Sequence, residues 1–340
     1  MMGRPGARPA GGRENGRVAV ELSYLIVNTN QRELLLRGLD AVGRERESLA
    51  FETEVLVLDN ASRDGSADAA RAHPTVDEVI TLRDRRGKGV NDSDLLARAR
   101  GRYGLLLNED SELLPGATVR LREALNADPA AGAAAARLLN PAGVAQPSAW
   151  RFPTPLTALA SALALHRRLV VQSGSGGAST RVVDWAQSSA MLVRVDAARA
   201  IGFFDPAFFV YSDEVDFCRR LRDAGWHTLH VPGASAIHHE QLSTGPVPER
   251  RIVELSRNRD VYMRKHHGSG AARAVRWLTA FTYATRAAAG LVLSGHDAHR
   301  YWRHVTASLR PGRGEGLREA AEAFNAATAP PPPPAHAPRA

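Results

Sequence analysis

A chain of 340 residues, 44% of them hydrophobic, can bury one large core or two small ones. Its formal charge of +8 suits phosphate-bearing partners, but no helix-turn-helix, zinc-finger or RNP-like pattern accompanies it, so nucleic acid is not an expected partner. The single cysteine, Cys218, excludes an intramolecular disulfide and any cysteine-based zinc site, and no apolar run reaches the ~18 residues of a membrane span.

Met1 to Arg17 carries four arginines with no apolar stretch behind them, unlike a signal peptide, and reads as disordered. With one cysteine, the expectation is a cytoplasmic protein. Residues 18–27 then predict a strand ending at Asn28-Thr29-Asn30, and 31–42 a helix with Leu34, Leu35 and Leu39 on one side. A second strand over 54–58 ends at Asp59-Asn60-Ala61-Ser62, where a carboxylate can accept hydrogen bonds from a base or ribose and Ser66 can cap the next helix. A capped turn without ligand reads the same way in isolation. A third strand follows over 79–82, then a loop, Arg85 to Asn91, offering cations and backbone N–H groups to a diphosphate, then a helix over 92–100. The fourth strand, 103–107, ends abruptly in Asn108-Glu109-Asp110-Ser111-Glu112. A carboxylate at such an edge can hold a divalent ion against a substrate diphosphate; a solvated turn is the plainer reading. Alternating strands and helices argue a parallel sheet wrapped by helices, with ligands at the carboxyl ends of the strands.

The second half is less regular. Residues 182–185 and 190–193 predict strands, 173–180 a flexible loop, 214–224 a helix stopped by Gly225, and 227–231 a strand closed by Pro232. From 257 to 293 the pattern is helical and basic: Arg264 to Glu319 holds ten Lys/Arg against three Asp/Glu. The tail contains five consecutive prolines and reads as an extension without a core.

Several stretches, in this order, carry a resemblance: Ile26-Val27-Asn28-x-Asn30, Leu58-Asp59-Asn60-Ala61-Ser62-x-Asp64-Gly65-Ser66, Leu106-Leu107-Asn108-x-Asp110-x-Glu112-Leu113-Leu114-Pro115-Gly116, and Gly202 to Arg222. Together they resemble family 2 glycosyltransferases of the GT-A fold, above all the bacterial rhamnosyltransferase-like branch, over roughly residues 18–245. The resemblance implies a mixed α/β sheet wrapped by helices, and site roles position by position. Val27 and Thr29 would sit against the nucleotide base and Asp59 would bond base or ribose. Asn91 would face the donor. Asn108-x-Asp110 stands where the family has Asp-x-Asp, leaving Asp110 as the one direct carboxylate ligand bridging Mg²⁺ or Mn²⁺ to the diphosphate, with Asn108 a neutral partner. Asp213-Glu214 stands where the family has Glu-Asp, so the general base would be Glu214, with Asp213 as the alternative. A solvated acidic helix start would look similar. In Ile237 to Ser243, which resembles the family's His-x-x-Gly-x-Ser with Gln241 for the glycine, His238 could ligate the metal and His239 is the other candidate. Trp185 would stack on the acceptor sugar or pack in the core. Asp216 is expected to pair with Arg219 or Arg220.

These readings give an expected organisation: 1–17 disordered, 18–245 the GT-A domain, 246–325 a helical extension, 326–340 a proline-rich tail. Arg264, Lys265, Arg273, Arg276, Trp277, Phe281 and Arg286 read either as a peripheral surface for anionic membrane or as a helical cap with solvated arginines. The expected function is metal-dependent inverting transfer of a sugar such as L-rhamnose from a nucleotide-diphosphate donor to a glycan or polyprenyl-diphosphate-linked acceptor. A non-catalytic sugar-nucleotide or glycan-binding relative is the alternative. A dinucleotide-binding Rossmann enzyme is disfavoured, because no G-x-G-x-x-G follows the first strand.

Overall fold

The structure, a computed structural model, describes residues 19–174, 177–240, 248–292 and 297–328. The N-terminal arm, the proline-rich tail, Gln241 and Ser243, all singled out above, lie outside the described residues, as do residues 175 and 176 of the predicted loop.

The first half runs β1 (Leu22–Asn28), α1 (Arg32–Glu47), β2 (Thr53–Asp59), α2 (Ser66–Ala72), β3 (Glu78–Thr81), α3 (Lys88–Arg98), β4 (Tyr103–Asn108), β5 (Ser111–Leu113), α4 (Ala117–Ala127) and β6 (Ala131–Leu139). It continues with β7 (Ala149–Trp150), α5 (Pro155–Ala162), α6 (His166–Leu169), β8 (Arg181–Val183), β9 (Trp185–Ala186), β10 (Ala190–Arg194), α7 (Val195–Ala200), α8 (Asp213–Asp223), β11 (His227–His238), α9 (Pro248–Gly290), α10 (Ala298–Leu309) and α11 (Leu317–Thr328). Among the described residues, nine strands form one sheet in the order β3-β2-β1-β4-β10-β6-β11-β5, with β8 also on β11; β7 and β9 make a separate ribbon.

The sheet is mixed rather than parallel throughout. β1 pairs in parallel with β2 and β4, but β10 lies antiparallel between β4 and β6. Both faces are covered: Leu25 and Val27 enter one apolar cluster, while Leu22, Tyr24 and Ile26 enter the other. This is why β1 reads as a continuous apolar run, all seven residues being buried. Parallel pairing in this register sets the site. Asn28 stands opposite Asp59, and Val27 opposite Asn108, so three strand ends deliver polar side chains to one edge.

Four expectations change. α3 begins at Lys88, so Lys88 and Asn91 stand in its first turn and not in a preceding loop. Gly65, at φ 79°, is the N-cap of α2, and Ser66 is its first residue. The predicted strand 182–185 is divided between β8 and β9, which belong to different sheets. β11 does not stop at Pro232: its register on β6 slips between Val231 and Ser235, and the strand resumes to His238. Proline, lacking an N–H, is tolerated at such an irregularity.

Candidate active site

At the ends of β1 and β2 the side chains lock the two loops together. Asn28 donates from Nδ2 to Asp59 Oδ1 (3.1 Å) and to Ser62 Oγ (3.2 Å), and the Ser62 N–H donates to Asp59 Oδ2 (3.0 Å). Asp59 is thus a buried, pre-oriented acceptor with both oxygens fixed. Asn60 carries the connection onward, donating to Thr29 Oγ1 (3.3 Å) and the Arg86 carbonyl (3.1 Å) while accepting the Arg86 N–H (2.9 Å). Thr29 therefore lies at the crevice rim. The Val27 side chain does not, being packed in the core and only 6% exposed, so its backbone is what remains near a ligand.

The start of α3 meets the start of α8. The Lys88 N–H donates to the Phe209 carbonyl (2.8 Å), and a Cβ on Gly87 would lie 2.5 Å from that oxygen, so only glycine fits. Lys88 Nζ donates to Asp92 (2.6 Å) and to Ser188 Oγ (3.0 Å). Burial works against its charge, but Asp92 and Asp213 hold the ammonium above the usual lysine range. Asp213 is buried with neither carboxylate oxygen hydrogen-bonded, while its neighbour Glu214 is only partly buried. Burial and the adjacent Asp213 charge push the Glu214 carboxyl well above the ordinary range, with Lys88 opposing. Tyr211 and Ser212, immediately before, both hold positive φ (66° and 61°), a conformation that costs L-residues about 1–3 kcal/mol each. Asn91 is fully buried, and both its amide atoms lack a partner.

The third cluster sits where β4 and β11 end. Asp110, 5% exposed, has Oδ1 3.4 Å from His238 Nε2. That same nitrogen is 3.3 Å from Ser189 Oγ, to which Asn108 Nδ2 donates (3.0 Å). Asn108 Oδ1 and His238 Nδ1 are buried without partners. His239 is turned elsewhere, its Nε2 2.7 Å from Glu112, so geometry selects His238 to face Asp110. No group of three or more His, Cys, Asp or Glu suited to a metal exists among the described residues. One carboxylate, one imidazole and an orphaned amide oxygen nonetheless form an oxygen-and-nitrogen donor set. Mg²⁺-type ions are commonly held by one or two carboxylates, with substrate phosphates and water completing the shell, and this set fits that pattern. Consecutive residues join the clusters: Ser188 takes the Lys88 proton donor, and Ser189 touches Asn108 and His238.

Sequence reasoning did not single out Asn28, Ser189 or the Lys88–Asp92 pair, since Asn and Ser at strand ends resemble ordinary turn residues. It also missed Trp150, whose ring stacks on Trp185 at 4.5 Å and occupies one indole face. Trp185 is further fixed by donating from Nε1 to the Arg151 carbonyl (3.0 Å). Asp216 pairs with Arg220 (2.7 Å), Lys265 (2.6 Å) and His266 (2.7 Å), whereas Arg219 pairs with Asp223.

The C-terminal helices grip both sides of this crevice. Asn258 of α9 donates to the Val210 carbonyl and Arg251 to the Tyr211 hydroxyl, next to Asp213-Glu214. Buried Glu254 accepts the N–H groups of Leu317 and Arg318, capping α11. At the far end of α11, Asn325 exchanges two hydrogen bonds with the Arg85 backbone (2.7 and 3.0 Å), and Phe324 lies under the guanidiniums of Arg85 and Arg63. Three cations expected to be surface-active are already engaged: Arg264 and Arg276 with Asp260, Lys265 with Asp205 and Asp216.

The model of "Glycosyl transferase family 2" matches residues 23–159. An N-acetylglucosaminyl-diphospho-decaprenol L-rhamnosyltransferase of Mycobacterium tuberculosis is 27% identical over 298 residues, covering 80% of this chain and 91% of that protein. Rhamnosyltransferase WbbL of Escherichia coli is 41% identical over 61 residues, 18% of this chain and 23% of its own length. Among solved structures, the mannosyltransferase PcManGT of Pyrobaculum calidifontis, in complex with GDP-Man and Mn²⁺, superposes with a TM-score of 0.51 at 16% identity, covering 92% of this chain and 89% of that one. GalNAc-T7 with UDP, GalNAc and Mn²⁺ gives 0.52 at 15% identity, covering 94% and 59%. The chain thus matches the family 2 glycosyltransferases over residues 23–159, which carry its strand-end motifs, is similar to a rhamnosyltransferase over 80% of its length, and has the GT-A fold.

Proposed function

We propose that this glycosyltransferase moves L-rhamnose or a closely related sugar from a nucleoside-diphosphate donor to a glycan or polyprenyl-diphosphate-linked acceptor in cell-envelope polysaccharide synthesis, with inversion at the anomeric carbon. The observation that carries the reading is the joining of Asp110–His238 to Lys88–Asp213–Glu214 through Ser188 and Ser189. On this reading a cluster that would handle the charge of a diphosphate stands near a carboxyl that would take the acceptor's proton. The lipid-linked acceptor is suggested by the name of the mycobacterial relative, and the divalent ion by Mn²⁺ in the two structural neighbours.

Asp59, Thr29 and the Val27 backbone would hold base and ribose, and Asn91 would hydrogen-bond the donor. Asp110 and His238, with Asn108 beside them, would hold Mg²⁺ or Mn²⁺, which supplies positive charge against the departing diphosphate. Glu214 would accept the proton of the acceptor hydroxyl as that oxygen attacks the anomeric carbon. Asp213 and Lys88 would set its basicity, the one raising and the other lowering its pKa. Trp185, braced by Trp150, would present an indole edge or its free face to the acceptor sugar. Peripheral contact with an anionic membrane on the cytoplasmic side fits a lipid-linked acceptor.

The direct test is thermal shift against nucleoside diphosphates and their deoxysugars, with and without Mn²⁺, followed by transfer to a polyprenyl-diphosphate glycan and determination of the product's anomeric configuration. A donor at a hundred times its Kd adds about 2.7 kcal/mol of stability, which should appear as a clear rise in Tm, larger with Mn²⁺. A retained configuration in the product would remove the single-displacement step.

The α11 contact gives a second expected result. Asn325→Ala removes two hydrogen bonds to the Arg85 backbone, each worth about 0.5–1.5 kcal/mol. Amide hydrogen exchange over residues 83–87 should accelerate and the donor KM rise, with kcat close to native. An unchanged exchange rate and KM would show that α11 does not support the donor loop.

A further inference from the structure

We propose that α5 and α6, together with the distal half of α9, form a docking surface for the interfacial region of an anionic bilayer, positioned to bring a lipid-linked acceptor to the Trp150–Trp185 pair; the choice of acceptor rests on the function proposed above. The excursion that carries α5 and α6 leaves the β7–β9 ribbon after β7 and returns beside it, where Val171 bridges Trp150. The Arg151 N–H donates to the Val170 carbonyl and the Gln172 N–H to the Ala149 carbonyl, so both ends are stitched beside Trp150. Between them, α5 has the sequence Pro-Leu-Thr-Ala-Leu-Ala-Ser-Ala, and none of its residues is buried. Leu156, Leu159, Leu163, Leu165 and Leu169 are 77%, 42%, 60%, 41% and 52% exposed. One exposed leucine is ordinary, whereas five on one short excursion mark a surface with a partner.

The inner side of the excursion rests on α9, where Ala158 packs against the cluster containing Ala272 and Val275. Beyond the break at Gly268, α9 adds Trp277 and Phe281, 68% and 57% exposed.

Charge selects the partner. Residues 151–183 and 261–296 contain no aspartate or glutamate at all. Among the described residues, Arg167, Arg168 and Arg273 have no carboxylate partner, unlike Arg264, Lys265 and Arg276. Leucines and an exposed tryptophan amid unpaired arginines match the interfacial layer of an anionic membrane, where apolar side chains enter the headgroup boundary and guanidiniums meet phosphates. A second protein copy would have to present carboxylates in return.

The test is co-sedimentation of the full chain with vesicles of phosphatidylcholine alone and of phosphatidylcholine containing phosphatidylglycerol. The protein should sediment with the anionic vesicles at low salt, bind the neutral ones far less, and be released as salt rises. Arg167→Gln with Arg168→Gln should weaken anionic binding about twenty-five-fold, from about fivefold per cation. Leu159→Glu with Leu163→Glu should abolish it. Both variants should keep the native Tm and the nucleoside-diphosphate thermal shift with Mn²⁺, which separates failure of this surface from failure of the proposed function. Vesicle binding that is absent in the native chain, or indifferent to both double variants, overturns the proposal. So does a dimer in light scattering that the leucine variant turns into monomer.

Discussion

Glu214→Gln is expected to lower turnover by about 10²–10⁴, the usual worth of a positioned general base, while donor affinity stays close to native. The amide preserves shape and loses only the proton acceptor. The native carboxyl is raised well above its ordinary range by burial and by Asp213, so it must shed a proton before it can work, and kcat should climb with pH through that raised value. Asp213→Asn removes the neighbouring negative charge. The Glu214 pKa then falls, and the acidic limb of the profile moves to lower pH. Stability runs the other way. A carboxyl whose folded pKa lies above its unfolded one contributes stability that is present at low pH and lost as pH rises through the folded value. Glu214→Gln removes that loss, so the variant should melt above the native protein at neutral pH, with the difference shrinking toward pH 4. Positive φ at Tyr211 and Ser212, just before the pair, is a second local cost to the fold at this helix start. Near-native turnover in Glu214→Gln combined with a dead Asp213→Asn would place the base one residue earlier.

The sheet's first half was legible because each strand there is a short apolar run that ends in a polar cluster. Asn28, Asp59 and Asn108 mark those ends, and parallel register turns three sequence positions into one crevice edge. β6 was not legible. Its Ala-Gly-Ala-Ala-Ala-Ala stretch favours helix by intrinsic propensity, yet both its neighbours in the sheet and the layers on each face demand small buried side chains. Pro232 misled for a related reason: local chemistry says stop, while pairing with β6 and β5 resumes after a slip that needs no N–H there. His238 closes β11 and His239 lies just beyond it, so tertiary placement is what separates the two. One faces Asp110 and the other Glu112. The basic C-terminal pattern was visible as composition, but not which cations were free. Asp260 pairs Arg264 at i,i+4 spacing, but it also neutralises Arg276, and Asp216 neutralises Lys265, from positions that periodicity cannot pair, while the apolar surface that accompanies the unpaired arginines starts a hundred residues earlier, in α5. Asn325 reaches the donor loop across 240 residues, a contact with no local signature.

Asp110→Ala is expected to remove metal-dependent donor binding and to lower turnover by roughly 10²–10³ or more, the scale seen when a single preorganised stabiliser of developing charge is lost. The size follows from what surrounds it. Asn108 is neutral and tied to Ser189, Glu112 is taken by His239, and no cluster of three metal-ligating side chains exists among the described residues to take over. Removing a carboxylate that is 5% exposed also leaves the His238 imidazole without the carboxylate it faces, so the remaining donor set should hold an ion more weakly. His238→Ala should show a smaller loss in the same direction, and His239→Ala almost none. Asn108→Asp works oppositely. A second carboxylate at the ion strengthens attraction to Mn²⁺, though the new side chain gives up its donation to Ser189 Oγ and must find another acceptor arrangement. Manganese titration followed by electron paramagnetic resonance, with and without nucleoside diphosphate, orders the four variants directly. Tighter Mn²⁺ binding in Asn108→Asp together with its loss in Asp110→Ala fixes the ion between β4 and β11. Donor affinity in saturating Mn²⁺ that is unchanged by Asp110→Ala would mean the diphosphate is neutralised elsewhere. Lys88 would then be the group carrying that charge: its part-buried ammonium reaches Ser188 and pairs with Asp92.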